Sequence, residues 1–464
     1  MRLTIIGAGP GGYVAALRAA HLGAQVTVLE RDEVGGTCLN WGCIPTKTLI
    51  ASVEAFERVK HAGDFGIDIS GTVTYNLEKI RDRKNKVVAT QVKGIKALFK
   101  SAGVDLIPSR AELLSKDVVR AVLPDGTTRD IMSDRVIIAT GSRPAGLPDL
   151  NADGDVVMTS DDALKLAKVP RSILIIGAGV IGCEFAFIYR SLGADVTVVE
   201  TASRPLTTED EDISAIIERE MKKTKIKLLT GVSFQSMTKT AEGVAKVRLS
   251  DDREIPTDTI LLSIGRKLNS GNLGLDLLGI ATGKRGEIVV NDRMETTVKG
   301  IFAIGDVTGG TMLAHVASHQ GLAAAENALG GHTIMDPSII PAGIFTSPEI
   351  GSVGLREHQA RERKVGIKVG RFPYRGLGKA HAMGEIAGFV KIIAEAGTDK
   401  VLGVHICGSH ATDLVHEGAL AIRTGTTASE LGHMIHAHPT LAEGIMEAAN
   451  DVHGEAIHVQ RESR

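Results

Sequence analysis

Residues 4–30 read TIIGAGPGGYVAALRAAHLGAQVTVLE, and residues 174–200 read LIIGAGVIGCEFAFIYRSLGADVTVVE. The offset between them is constant at 170 residues, and 14 of the 27 positions are identical. Each stretch runs strand, glycine-rich turn, helix, strand, and ends on an acid, which is the pattern of a dinucleotide-binding βαβ unit. Gly7 and Gly177 permit the tight turn, Gly9 and Gly179 let a pyrophosphate approach, and Gly12 and Gly182 let helix pack on strand. The helix N-terminus then offers unpaired N–H groups and a positive dipole end to the phosphates; in the second copy Ile181 lies in that first turn. Glu30 and Glu200 stand where a carboxylate bonds ribose hydroxyls and repels a 2′-phosphate. Thr201, Ala202 and Ser203 follow Glu200 before the first base, Arg204, so the second unit favours NAD over NADP. One GxGxxG is weak evidence, but two in full context predict two dinucleotides. The expected fold is α/β with two Rossmann-like domains, in an enzyme that passes electrons between a flavin and a nicotinamide.

A chain of 464 residues is too long for one core, so roughly two to four domains are expected. Hydrophobic residues at 43% and charged residues at 23% are ordinary for a soluble globular protein. Lys and Arg number 53 against 55 Asp and Glu, so no global positive field recruits nucleic acid or an anionic membrane. The chain opens on the strand-like Leu3-Thr4-Ile5-Ile6, with no signal-peptide core and no run long enough to span a bilayer, and a cytoplasmic location is expected. Four cysteines do not make a disulfide scaffold, so two of them placed close together need another explanation.

Those two lie in residues 35–47, GGTCLNWGCIPTK. Cys38 and Cys43 are five apart, a rise of ~7.5 Å on a regular helix, so bridging them requires a distorted turn, and such strain eases reduction. Gly35, Gly36 and Gly42 supply backbone freedom, Pro45 constrains the chain just after the pair, and Lys47 favours a nearby thiolate or reduced flavin. The pair could also be two buried thiols or half a metal site, although the remaining cysteines, Cys183 and Cys407, are isolated and read as core residues. No metal site is expected. A third segment, Gly300 to Asp306, is a strand ending in an acid that could hold a flavin's ribityl chain, a weak signal by spacing alone. Near the C-terminus, HAHPTLAE at 436–443 sets Glu443 five residues after His438, across the first turn of a helix expected from about Pro439. A carboxylate there would orient the imidazole as a base for a thiol; His436 and His433 compete for the role.

These motifs resemble the pyridine nucleotide–disulfide oxidoreductase family, and within it the branch that oxidises dihydrolipoamide. The resemblance runs from GAGPGG to HAHPTLAEGIMEA, with GGTCLNWGCIPTK and AIGDVTGGTMLAH close to the family's redox and second flavin signatures. It implies an FAD domain over 1–147, an NAD domain over 148–270, a central domain over 271–338 and an α+β dimerisation domain over 339–464. Gly7, Gly9, Gly12, Glu30 and Thr37 would meet FAD, with Thr140, Gly141 and Ser142 closing over it and Asp306, Met312, Leu313 and Ala314 lining its site. Gly177, Gly179, Ile181, Gly182 and Glu200 would hold NAD, flanked by Val232 and Gly265. Lys47 would sit beside the flavin with Glu184 as its ion-pair partner, Cys38 would be the interchange thiol and Cys43 the thiolate against the flavin. His438 of one subunit, oriented by Glu443, would serve the cysteines of the other, in a homodimer that meets lipoyl domains and the peripheral-subunit-binding domain of an acyltransferase. Ala437 stands where the family often has Pro, and Asp413 where Glu is common. A glutathione-type reductase would want basic residues at Glu200, and a mercuric reductase a C-terminal cysteine pair beyond Cys407; a non-catalytic flavoprotein component is the alternative of another class.

Overall fold

The computed structural model describes residues 1–239 and 244–459, and the chain divides into two compact units. The first comprises residues 1–147, 158–168 and 264–336. At its centre is a parallel sheet whose strands run in the order 301–303, 135–138, 2–6, 25–30, 105–108. The inner strands are apolar on both faces, Leu3, Ile5, Ile6 and Val136 to Ile138 all being buried, because both faces are covered. Helices Pro10–His21 and Ala314–Ala328 cover one face. They approach so closely that a Cβ on Gly321 would lie 2.5 Å from the Gly11 carbonyl oxygen. A three-stranded antiparallel sheet (110–115, 118–122, 128–132) puts Leu113, Val119 and Ala121 against the other face. Helix Leu77–Ser101 packs on helix Cys43–Lys60, where Arg83 donates to the Thr48 carbonyl at 3.1 Å.

The second unit comprises 148–157, 169–263 and 337–464. Its parallel strands 227–229, 195–199, 172–176 and 259–262 repeat the arrangement around the second glycine turn. Its other sheet is antiparallel and five-stranded, in the order 342–344, 350–354, 401–407, 389–395, 367–373. Helices Ala411–Thr424 and Glu443–Asp451 lie on this sheet at glycines: a Cβ on Gly351 would come within 2.1 Å of the Ala411 carbonyl oxygen, and one on Gly370 within 2.0 Å of that of Ala448. Lys391, fully buried on this sheet, is neutralised by Asp210 and Asp212 at 2.8 Å and Glu357 at 3.0 Å.

Candidate active site

The two glycine turns are built alike. Gly7 and Gly177 both have φ +104°, a backbone angle at which a side chain is strained. In each, the third glycine is obligatory for contact, since a Cβ on Gly12 or Gly182 would lie 1.9 Å from the Gly7 or Gly177 carbonyl oxygen. Glu30 accepts from the Ala8 N–H at 2.6 Å and the Asp32 N–H at 2.8 Å; Glu200 accepts from Ala178 at 2.7 Å and Ala202 at 2.9 Å. The acid thus braces the turn. Burial pushes the Glu30 carboxyl above its usual range, against the pull of these N–H donors. Val232 is buried and donates its N–H to the Glu200 carbonyl at 3.1 Å.

The cysteine segment shows the distorted turn. Helix Gly36–Asn40 stops at Trp41, and a new helix, Cys43–Lys60, starts after Gly42. Gly42 folds against the first helix, where a Cβ would sit 2.9 Å from the Thr37 carbonyl oxygen and 3.3 Å from the Cys38 Cα. Cys38 and Cys43 therefore stand on consecutive helices, Cys38 half-buried and Cys43 exposed, both as free thiols. A hydrogen bond with Cys43 and burial raise the Cys38 thiol, while Lys47 pulls the other way. Lys47 is four residues after Cys43 on the same helix, and so shares its face. Gly36, at φ +56°, touches the first glycine turn: a Cβ there would lie 2.6 Å from the Gly9 Cα. The cysteine loop and the first glycine turn are thereby locked together.

Ser142 donates to a carboxylate oxygen of Asp306. Gly141, at φ +66°, and Thr140 precede it in a turn that Asn269 clamps, its side chain donating to the Thr140 carbonyl at 3.0 Å. Thr140 Oγ1 is buried with no partner among the described residues. A buried hydroxyl so placed is free to bond a bound group. Met312, Leu313 and Ala314 are half-buried at the start of helix Ala314–Ala328. One residue that the sequence reading missed completes the cluster. Arg266 donates to Ser142 Oγ at 2.6 Å and to the Ser142 carbonyl at 3.0 Å, 3.7 Å from Asp306 and 3.5 Å from Thr37 Oγ1. Its only sequence signal was a base directly after Gly265, whose φ is +112°.

In the second unit, His438 Nδ1 meets Glu443 Oε1 at 2.8 Å, and the other Glu443 oxygen accepts from the Thr440 N–H at 2.8 Å. Partial burial raises the Glu443 carboxyl, but the Thr440 N–H and His438 outweigh it and hold it below its usual range. The helix starts at Glu443, not near Pro439; Pro439 to Ala442 form the approach to it, and Glu443 occupies its first position. His438 is 76% exposed, whereas His436 is 4% exposed with Nε2 on Glu417 at 2.8 Å and Nδ1 on the Met434 carbonyl at 3.0 Å. Both His436 nitrogens are spent, and His433 is tied to the Ser429 carbonyl at 2.7 Å. Glu184, expected beside Lys47, accepts from the Phe345 N–H at 3.0 Å.

Residues 1–321 match the pyridine nucleotide-disulphide oxidoreductase family model, and residues 340–449 its dimerisation domain. The chain belongs to this family. FAD and NAD are the family's cofactors, and the C-terminal match to its dimerisation domain over 340–449 supports a homodimer. The dihydrolipoyl dehydrogenase of Bacillus subtilis strain 168 is 43% identical over 98% of both chains. That of Chlamydia trachomatis is 40% identical over 96% of this chain and 95% of its own. The crystal structure of LpdA from Mycobacterium tuberculosis superposes with a TM-score of 0.91 at 32% identity, covering 97% of this chain and 99% of that one. No helix among the described residues is long and apolar enough to cross a membrane.

Proposed function

We propose that this chain oxidises dihydrolipoyl groups and reduces NAD⁺, using Cys38 and Cys43 as the exchanging pair. The observation that carries the reading is the split helix, which presents two hydrogen-bonded thiols in a unit whose first glycine turn is locked to the same loop. The disulfide state accepts two electrons from a dithiol: one substrate sulfur attacks Cys38, Cys43 leaves as a thiolate, and the second substrate sulfur displaces Cys38 to close the product disulfide. His438, delivered by the other subunit of the homodimer, takes the substrate thiol's proton, and Glu443 holds its ring in the tautomer with Nε2 free. Lys47 supplies positive charge beside the thiolate.

Gly7, Gly9, Gly12, Glu30, Thr37, Thr140, Gly141, Ser142, Asp306 and Met312 to Ala314 would hold FAD, and the orphaned Thr140 hydroxyl fits such a group. Bound FAD supplies the two-electron relay from the dithiol to NAD⁺. Gly177, Gly179, Ile181, Gly182, Glu200, Val232 and Gly265 would hold NAD, Glu200 excluding a 2′-phosphate. The domain limits proposed are 1–147, 148–270, 271–338 and 339–464, in a cytoplasmic enzyme serving lipoyl domains and a peripheral-subunit-binding domain. Dihydrolipoamide should reduce NAD⁺ far faster than NADP⁺, and Cys43→Ser should abolish turnover. If NADPH with oxidised glutathione is the better pair, the reading fails.

A further inference from the structure

Helix Leu77–Ser101 carries eight Lys and Arg against two acids, Glu78 and Asp82, in a chain whose net charge is −2. Lys79, Lys86, Lys93 and Lys100 recur every seventh residue and so form one stripe along the helix. All four are exposed, and none makes an ion pair among the described residues. The span from Lys86 to Lys100 is ~21 Å at the helical rise. Other charges on the helix are spent or turned elsewhere: Lys84 is buried with its amine on the Leu164 carbonyl at 2.6 Å, Lys96 pairs with Glu33 at 2.6 Å, and Arg83 bonds the redox helix.

The stripe borders the redox loop. Lys93 and Lys96 line a cleft whose opposite wall is Glu33 and Asn40, and Asn40 lies two residues after Cys38. Asn40 is pinned there, its amide donating to the Val34 and Gly36 carbonyls at 3.0 Å.

From this we infer that the Lys86–Lys93–Lys100 stripe is a docking face for an acidic protein domain carrying the dihydrolipoyl arm. The inference rests on the function proposed above and adds what the partner's surface must be. Free dihydrolipoamide is a small uncharged amide and has no use for three unpaired cations spread over ~21 Å. A folded carrier with an acidic face does, because unpaired surface charge raises its encounter rate and holds its arm toward the cysteines. Such steering weakens as the Debye length shrinks to ~10 Å at 0.1 M salt.

The test uses the full-length FAD-loaded dimer and its Lys86→Gln/Lys93→Gln/Lys100→Gln variant. Two reductants are compared from 20 to 300 mM NaCl: free dihydrolipoamide, and a reduced lipoyl domain of net negative charge, with its Asp and Glu surface neutralised as a control. With the acidic domain, kcat/KM of the variant should fall about tenfold at low salt, and its salt dependence should flatten. With free dihydrolipoamide and the neutralised domain, variant and parent should agree within about twofold, since exposed lysines tolerate such changes. Equal rates and equal salt slopes with the acidic domain would overturn the docking face, as would an equal loss with every reductant. If the parent fails to oxidise free dihydrolipoamide, the proposed function itself is overturned.

Discussion

Replacing Glu443 by Gln isolates what its carboxylate does for His438. The two Glu443 oxygens have different donors, His438 Nδ1 at 2.8 Å and the Thr440 N–H at 2.8 Å, so each must be an acceptor. A glutamine has one acceptor and one donor end. With its oxygen toward His438, its amide faces the Thr440 N–H, donor against donor. Turned over, it donates to Nδ1 and forces the proton onto Nε2, which removes the base. Either way one good contact becomes a bad one, at about 1–3 kcal/mol, or roughly 5- to 150-fold in kcat/KM for dihydrolipoamide. Because His438 is 76% exposed, the ring's packing should not compensate. Stopped-flow reduction of the flavin by dihydrolipoamide measures the step directly. Reduction of a dye by NADH bypasses the dithiol and should be unchanged. Unaltered dihydrolipoamide kinetics, or an equal loss in the dye assay, would refute the orienting role.

Thr140→Val should leave the apo chain's stability nearly unchanged, since Oγ1 has no partner to lose, yet weaken FAD binding about tenfold by fluorescence titration; undiminished affinity would remove Thr140 from the site. Gly36→Ala places a Cβ 2.6 Å from the Gly9 Cα at φ +56°, so thermal unfolding should show a loss of about 1–3 kcal/mol together with poor flavin retention. His405 is fully buried beside Arg356, Asp210 and Lys391, with Nε2 on the Leu355 carbonyl at 2.9 Å; burial chiefly holds its pKa down to about 4. A depressed histidine gives stability that is complete above its ordinary 6.5 and lost as pH falls from there toward 4, at up to ~1.4 kcal/mol per pH unit. His405→Gln should flatten that part of a urea-midpoint profile, and an identical slope in both proteins would show that other groups carry it.

The repeat at 4–30 and 174–200 was legible because glycine periodicity reports backbone requirements that are local: the turn at Gly7 and the contact of Gly12 with the Gly7 carbonyl both lie within six residues. The broken turn between Cys38 and Cys43 was legible for the same reason, since five helical residues cannot bring two sulfurs together. The choice of His438 over His436 needed the family resemblance, because the sequence does not show that His436 spends both nitrogens on Glu417 and Met434. Arg266 was invisible: Ser142 is brought to it by pairing of strands 142–144 and 266–268, over a hundred residues apart, and Thr37 and Asp306 reach it from other distant segments. The helix start at Glu443 was misplaced because Pro439 suits a first helical turn, whereas the chain uses residues 439–442 to aim His438 at the carboxylate.

The interruption at Trp41 and Gly42 also gives the sulfur pair a polarity. Cys43 is the opening residue of an 18-residue helix, where bare N–H groups and the positive dipole end stabilise a thiolate. Cys38 is the third residue of a helix only five residues long, whose dipole is correspondingly small, and a hydrogen bond with Cys43 together with burial disfavours its ionised form. In thiol–disulfide exchange the sulfur that better bears negative charge is the better leaving group. In the exchange proposed above, this asymmetry favours expelling Cys43 and leaving the substrate sulfur on Cys38. An unbroken helix would have held the two sulfurs too far apart to bridge; the same break that lets them meet also sets Cys43 at the head of a long helix.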